Sequence, residues 1–229
     1  MLRLSLADAP FDGKTGKGVR VAVVDSGIAL NHPHVGAVAL GVNLAGEGQD
    51  TADRIGHGTA VAAAIREKAP DAELVPVRIF DKELATDVHT LGRAIVWAAD
   101  HGCAIVNLSL GTSNEAHRSA IEQALELAHR RNVMVISAYE TDGTKWLPGS
   151  LDGAIGVVPD AELDRELIEI DTSRRELPVL VRASIYPRPI PGVPRERNLS
   201  GVSFAVANVS GFMAVAREGR SEWPLFPVT

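Results

Sequence analysis

An aspartate ending an apolar run, a histidine between two glycines and a serine behind a glycine are the residues here suited to nucleophilic chemistry. They stand in Asp25-Ser26-Gly27, Gly56-His57-Gly58-Thr59 and Gly201-Val202-Ser203-Phe204-Ala205. A serine hydroxyl is a poor nucleophile at neutral pH. It needs an imidazole to take its proton and a carboxylate to orient that imidazole and stabilise its cation. Singly, each string is ordinary: a strand-ending turn, a helix entry, a helix cap. Together, in this order and each at the edge of a regular element, they are the parts of a nucleophilic catalyst.

Only a fold can gather positions so far apart, and the pattern along the chain predicts one. Val19-Arg-Val-Ala-Val-Val-Asp25 is a β-branched run closed by Ser26-Gly27, the pattern of a buried parallel strand. An Ala-rich helix is expected from near His57 to Lys68, then a strand over Ala72 to Phe80. Val88, Leu91, Ile95 and Ala98 recur at helical spacing, and Ala104 to Leu110 is a third strand stopped by Gly111. Asn114 to Arg131 repeats the helical signal, with basic residues in its last turn. Val133 to Ala138 is a fourth strand. This alternation predicts a mostly parallel sheet with helices on both faces.

Further along, Ala154 to Val158, Leu167 to Ile170 and Leu177 to Ala183 are expected strands. Pro187, Pro189, Pro191 and Pro194 then exclude a helix or a central strand. From about Gly201 to Ala216 runs a helix that is apolar all round, and such a helix must be buried on most sides. In an open parallel sheet, ligands bind beyond the carboxyl ends of the strands. Asp25 ends one. His57 and Ser203 begin helices, where unpaired N–H groups favour developing negative charge.

Composition narrows the function classes. The 229 residues, 45% hydrophobic, can bury one substantial core, expected as a single domain over 1–229 with a lead-in at 1–17 and a tail at 218–229. No apolar run approaches the ~18 residues of a membrane span. The N-terminal Met-Leu-Arg-Leu-Ser-Leu-Ala-Asp carries charge too early for a secretion signal. One cysteine excludes an internal disulfide framework and suits a reducing compartment, so a cytoplasmic location is expected. The net charge of −6 argues against nucleic acid as the main partner.

With these blocks in place, the chain resembles the subtilisin-like (subtilase) serine peptidases. Val-Val-Asp25-Ser26-Gly27-Ile28 is followed by His32-Pro33-His34-Val35 at the family's His-Pro-x-Leu position. Gly56-His57-Gly58-Thr59 follows at a family-like interval. Trp97-Ala98 and Val106-Asn107-Leu108-Ser109-Leu110-Gly111 match the helix and strand beside the substrate cleft. Ser200 to Gly211 aligns ungapped with Asn-Gly-Thr-Ser-Met-Ala-Ser-Pro-His-Val-Ala-Gly. The resemblance covers residues 17 to 217. It implies a three-layer α/β fold, with Ser203 as nucleophile, His57 as general base then acid, and Asp25 as orienter. It also implies that Ser109, Leu110 and Gly111 pair with an extended peptide by strand addition.

Departures from the family pattern matter as much. The family's second oxyanion donor is an asparagine in Ala-Gly-Asn-Glu-Gly. Here the segment is Ser137-Ala138-Tyr139-Glu140-Thr141-Asp142-Gly143, with Thr141 at the asparagine position and Glu140 at the glycine. A threonine hydroxyl donates one hydrogen bond with a shorter reach than an amide, so slow turnover is expected. Val202, Phe204 and Ala207 replace the usual Thr, Met and Pro, the lost proline removing a constraint from the helix without touching a catalytic atom, and Ala60 replaces a common His as a packing change. The loop Glu67-Lys-Ala-Pro-Asp71 is too short to wrap a calcium with six to eight oxygens, so no structural calcium is expected at that position; separately, the expected mechanism uses no metal or other cofactor. A pro-segment of domain size is likewise not expected ahead of Asp25.

The expectation is a serine endopeptidase acting on a peptide or protein, through an acyl-enzyme, with a dedicated substrate such as a precursor leader. Two alternatives stand beside it: a subtilase-like protein that binds peptides without cutting them, and a ligase or macrocyclase that passes the acyl group to an amine. Arg182, Arg188, Arg195 and Arg197, leading into the serine block with one opposing acid, Glu196, form either a solvated loop or a patch that attracts acidic peptides. His32 and His34 make only a weak metal pair, and Cys103 at the entry to an apolar strand is expected to be a core residue.

Overall fold

The computed structural model describes residues 1–8, 11–173 and 178–220. In chain order it holds β1 (Leu2–Ser5), β2 (Arg20–Asp25), β3 (Val42–Asn43), α1 (His57–Lys68), β4 (Glu73–Arg78), α2 (Val88–Asp100) and β5 (Ile105–Leu108). There follow α3 (Arg118–Arg130), β6 (Met134–Ala138), β7 (Glu140–Thr141), β8 (Thr144–Lys145), β9 (Ala154–Asp160), β10 (Leu167–Ile170), β11 (Val179–Ser184) and α4 (Val202–Arg217). The sheet order is β1-β10-β11-β9-β6-β5-β2-β4-β3. From β11 to β3 all neighbours run parallel, while β10 and β1 add an antiparallel margin. This is the three-layer α/β architecture that the sequence predicts.

Side-chain alternation along the strands builds two cores. Val21 and Val23 of β2 join one apolar cluster with α1 and α4, whereas Ala22 and Val24 join another with α2 and α3. Both faces are covered, so the central strands read as continuous hydrophobic runs rather than alternating ones. Helix α4 is buried from Phe204 to Arg217, which accounts for its apolar sequence on every side. Its Phe212, fully buried, meets Phe11 edge-on with ring centroids 5.4 Å apart.

Differences from expectation fall at the margins. The lead-in contributes β1, whose Leu2 and Leu4 lie opposite Ile170 and Ile168 of β10. The helix expected from Asn114 opens as a 3-10 turn over Glu115–His117 before α3 begins. The strand expected over Leu177 to Ala183 is seen from Val179, Leu177 itself lying outside the described residues. Arg182 belongs to β11, where it pairs with Asp160 at 2.6 Å and Glu169 at 3.8 Å, so it does not share the free basic loop expected of it. Arg195 stacks its guanidinium over Tyr186.

Two polar ties fasten the periphery. Glu218, just past α4, accepts N–H bonds from Thr15, Gly16 and Lys17. Arg66 in α1 donates to four carbonyls: Val35 (2.8 Å), Ala37 (3.0 Å), Pro70 (2.8 Å) and Ala72 (2.6 Å). One planar cation thus pins the 35–37 turn and the short loop after α1 to the same helix.

Candidate active site

Strands β2, β5 and β6 end side by side, with Val24 level with Leu108 and Leu108 level with Ser137. Their carboxyl ends therefore present Asp25, Ser109 to Gly111 and Tyr139 to Thr141 along one edge, where a doubly wound sheet places its ligand crevice. Asp25 is fully buried. Its Oδ1 and Oδ2 lie 2.8 and 2.9 Å from His57 Nδ1, and Oδ1 also accepts the Ser26 N–H. A carboxylate can only accept, so Nδ1 carries the proton and Nε2 keeps its lone pair.

Close approach is what allows this pair. A Cβ on Gly58 would stand 2.2 Å from the Gly27 carbonyl and 3.2 Å from Asp25 Oδ1, so only glycine fits beside the carboxylate. His57 titrates above the ordinary histidine value. Burial disfavours its cation, but the Asp25 hydrogen bond, with the charges of Asp25 and Asp53, outweighs that.

Asp53 was not among the residues expected from sequence. Its carboxylate accepts from Ser26 Oγ, the N–H groups of Ile55 and Gly56, and both the N–H and hydroxyl of Thr59. Ser26 Oγ in turn accepts the Gly58 N–H. The aspartate thus locks the Asp25 turn to the first turn of α1. Burial works against its charge, yet these bonds hold its carboxyl below the usual range. An acid just ahead of a helix start is the signal that could have found it.

Ser203 begins α4 and shares a cavity of about 270 Å³ with His57. The two are not hydrogen-bonded. Ser203 Oγ donates to the Ser109 carbonyl at 3.2 Å, and Ser109 Oγ donates back to the Ser203 carbonyl at 3.2 Å. Behind them, Ser210 Oγ donates to Asn107 Oδ1 and Asn107 Nδ2 to Ser109 Oγ, both donor residues being fully buried. This chain of bonds holds the end of β5 against the start of α4. Ser203 Oγ turns about one torsion, and catalytic hydrogen bonds are often long or misaligned before substrate binds. The Ser203 amide, second in the helix, is one of the four N–H groups with no partner inside it.

Ser109, Leu110, Gly111 and Thr141 line the same cavity, whereas Glu140 does not. Thr141 sits on the β7–β8 hairpin, whose turn residues Asp142 and Gly143 both have positive φ (50° and 76°). Asp-Gly is the sequence signal of such a turn. Trp146, also unforeseen, lies past this hairpin on the cavity wall and donates its indole N–H to Thr141 Oγ1 at 2.6 Å. Thr112 and Leu147 exchange backbone bonds of 2.9 and 3.0 Å, tying the segment after Gly111 to the segment bearing Trp146.

The remaining candidates lie apart from this cavity. His32 and His34 meet edge-on and line a separate hollow beside Asp53 and Arg188. Among the described residues no group of three or more His, Cys, Asp or Glu could hold a metal ion. Cys103 is buried, which pushes its thiol up to about 11.

Known proteins resemble the chain in sequence and in fold. The Subtilase family model matches residues 16–156, ending ahead of Ser203. The chain is 29% identical over 222 residues to the Thermophilic serine proteinase of Bacillus sp. (strain AK1), covering 91% of this chain and 54% of that protein. It is 29% identical over 225 residues to the Alkaline protease of Alkalihalobacillus alcalophilus, covering 92% and 57%. For Subtilisin Savinase of Lederbergia lenta the identity is 29% and the shares 92% and 80%. The chain therefore spans little more than half the length of the first two relatives. Among solved structures, a cold adapted subtilisin-like serine proteinase superposes with TM-score 0.72 at 20% identity, covering 94% of this chain and 81% of that one. A lanthipeptide protease superposes with TM-score 0.69 at 21% identity, covering 92% and 78%. Both have the same fold.

Proposed function

The chain belongs to the subtilase family, and on that premise we propose that it is a serine endopeptidase working through an acyl-enzyme. The observation that carries this is the buried Asp25 bonded to His57 Nδ1, on the rim of the cavity that also holds Ser203. In this reading Ser203 Oγ attacks the peptide carbonyl while His57 Nε2 takes its proton. The same nitrogen then protonates the leaving amine, and water repeats the sequence to release the acid. Asp25 keeps the imidazole in the right tautomer and stabilises its cation. The Ser203 N–H and the Thr141 hydroxyl receive the oxyanion. An extended peptide adds alongside Ser109, Leu110 and Gly111.

The substrate in this proposal is a dedicated peptide, such as a precursor from which a leader is cut. A cavity of only about 270 Å³, walled by Trp146 and Leu84, suits a restricted choice of side chain. A protein of the same fold being a lanthipeptide protease is compatible with that class.

A second reading, peptide binding without cleavage, draws support from the Ser203 hydroxyl being bonded to the Ser109 carbonyl rather than to His57. A fluorophosphonate probe separates the two. Folded wild type should become covalently labelled and S203A should not. Labelling that persists in S203A would remove Ser203 as the nucleophile, and an unlabelled folded wild type would favour the binding-only reading.

A further inference from the structure

We propose that Trp146 is a positioning residue for the oxyanion donor Thr141, its indole N–H engaging one side of the threonine oxygen so that the hydroxyl proton turns into the cavity. This rests on the acyl-enzyme reading above. An indole nitrogen can only donate, so at 2.6 Å the Thr141 oxygen must be the acceptor. Its own proton is then directed elsewhere, and among the described residues Thr141 Oγ1 makes no other hydrogen bond. Thr141, Trp146 and Ser203 line one cavity. The proton is therefore free for whatever oxygen enters there.

Three features make this more than a chance contact. A β-branched side chain has few χ1 choices, so Thr141 cannot easily swing away. Trp146 is itself held, its backbone N–H bonded to the Tyr139 carbonyl at 2.9 Å and its Cβ only 3.1 Å from where a Cβ on Gly111 would stand. An oxygen that accepts one hydrogen bond also becomes a better donor of another. A hydroxyl has a shorter reach than the amide usual at this position, and a fixed orientation offsets part of that deficit. Slow turnover from a weak donor is thereby countered by a group outside the nucleophile, base and orienter.

The step balances without Trp146 changing its bonds. Ser203 Oγ forms the new bond to the carbonyl carbon and its proton passes to His57 Nε2. The carbonyl π pair moves onto the oxygen, which accepts hydrogen bonds from Thr141 Oγ1–H and the Ser203 N–H.

The test is the second-order rate of fluorophosphonate labelling, because the probe's phosphoryl oxygen occupies the oxyanion position. T141V should label about 10²-fold more slowly, the order of magnitude for losing one such donor. T141S should recover at least part of that loss. W146F, which keeps the ring and loses the N–H, should slow labelling roughly tenfold. In the T141V background W146F should cost nothing further, since there is no hydroxyl left to orient. W146F labelling at the wild-type rate, or an equal loss with and without the Thr141 hydroxyl, would overturn the proposal. Should W146F fail to fold, the Trp146 indole N–H resonance decides: it should move upfield in T141V and not in T141S, and an unmoved resonance refutes the contact. Wild type that is not labelled at all instead defeats the acyl-enzyme reading on which the proposal stands.

Discussion

His57 sits between opposed influences. Burial disfavours its charged form, while the bonded Asp25 carboxylate, with Asp53 farther off, favours it and prevails. In the proposed mechanism His57 must be neutral to accept the serine proton, so the acid limb of the labelling rate should lie above 6.5, the ordinary histidine value. D25N should move that limb to lower pH and reduce the rate by about 10⁴, because the imidazole loses its tautomer as well as its counter-charge. A pH profile of fluorophosphonate labelling checks both, and a limb below 6.5 in wild type would contradict the assignment. The stability linkage has the same sign. A raised folded-state pKa means the His57–Asp25 attraction contributes fully below 6.5 and fades as pH climbs through the folded-state value.

Helix α4 does two jobs, presenting Ser203 at its first turn and filling the core with the turns behind it. Phe212 is fully buried against Phe11, so F212A should destabilise by about 3–5 kcal/mol, read as a lowered urea midpoint. A change under ~1 kcal/mol would mean that the core collapses around the gap. This helix was legible in the sequence because a helix apolar on all sides has to be enclosed by the rest of the chain. The runs that became β2, β4, β5 and β6 were legible for the same reason, being covered on both faces. Strand β3 and the β7–β8 hairpin were not, since two-residue strands carry no periodicity. Leu2 and Leu4 did alternate with polar neighbours, but β1 is too short to stand out from a lead-in. At the site, residue type and order singled out Asp25 and His57, which the fold brings into hydrogen-bond contact. The bond between Trp146 and Thr141 depends on hairpin register, which spacing along the chain does not set, whereas Asp53 carried its signal in its place just ahead of α1. The partner of the Ser203 hydroxyl depends on a rotamer, about which the string Gly-Val-Ser is silent.

Across the whole molecule, Arg66 is where separate stretches converge. Its guanidinium binds carbonyls from before β3 and from the loop leading into β4. Burial lowers its affinity for the proton, but an arginine remains charged in a protein. R66M should leave those carbonyls short of donors and lower stability by roughly 2–3 kcal/mol, measurable by denaturant titration. EDTA should leave the wild-type melting temperature unchanged, and a fall on chelation would reveal an ion at work here. A free ion stabilises only in proportion to the logarithm of its concentration over its dissociation constant, and dilution removes it. A cation carried on the backbone's own helix has no such dependence. The 35–37 turn and the loop after α1 should stay fastened equally well in scarcity and in plenty of dissolved salts of divalent metals.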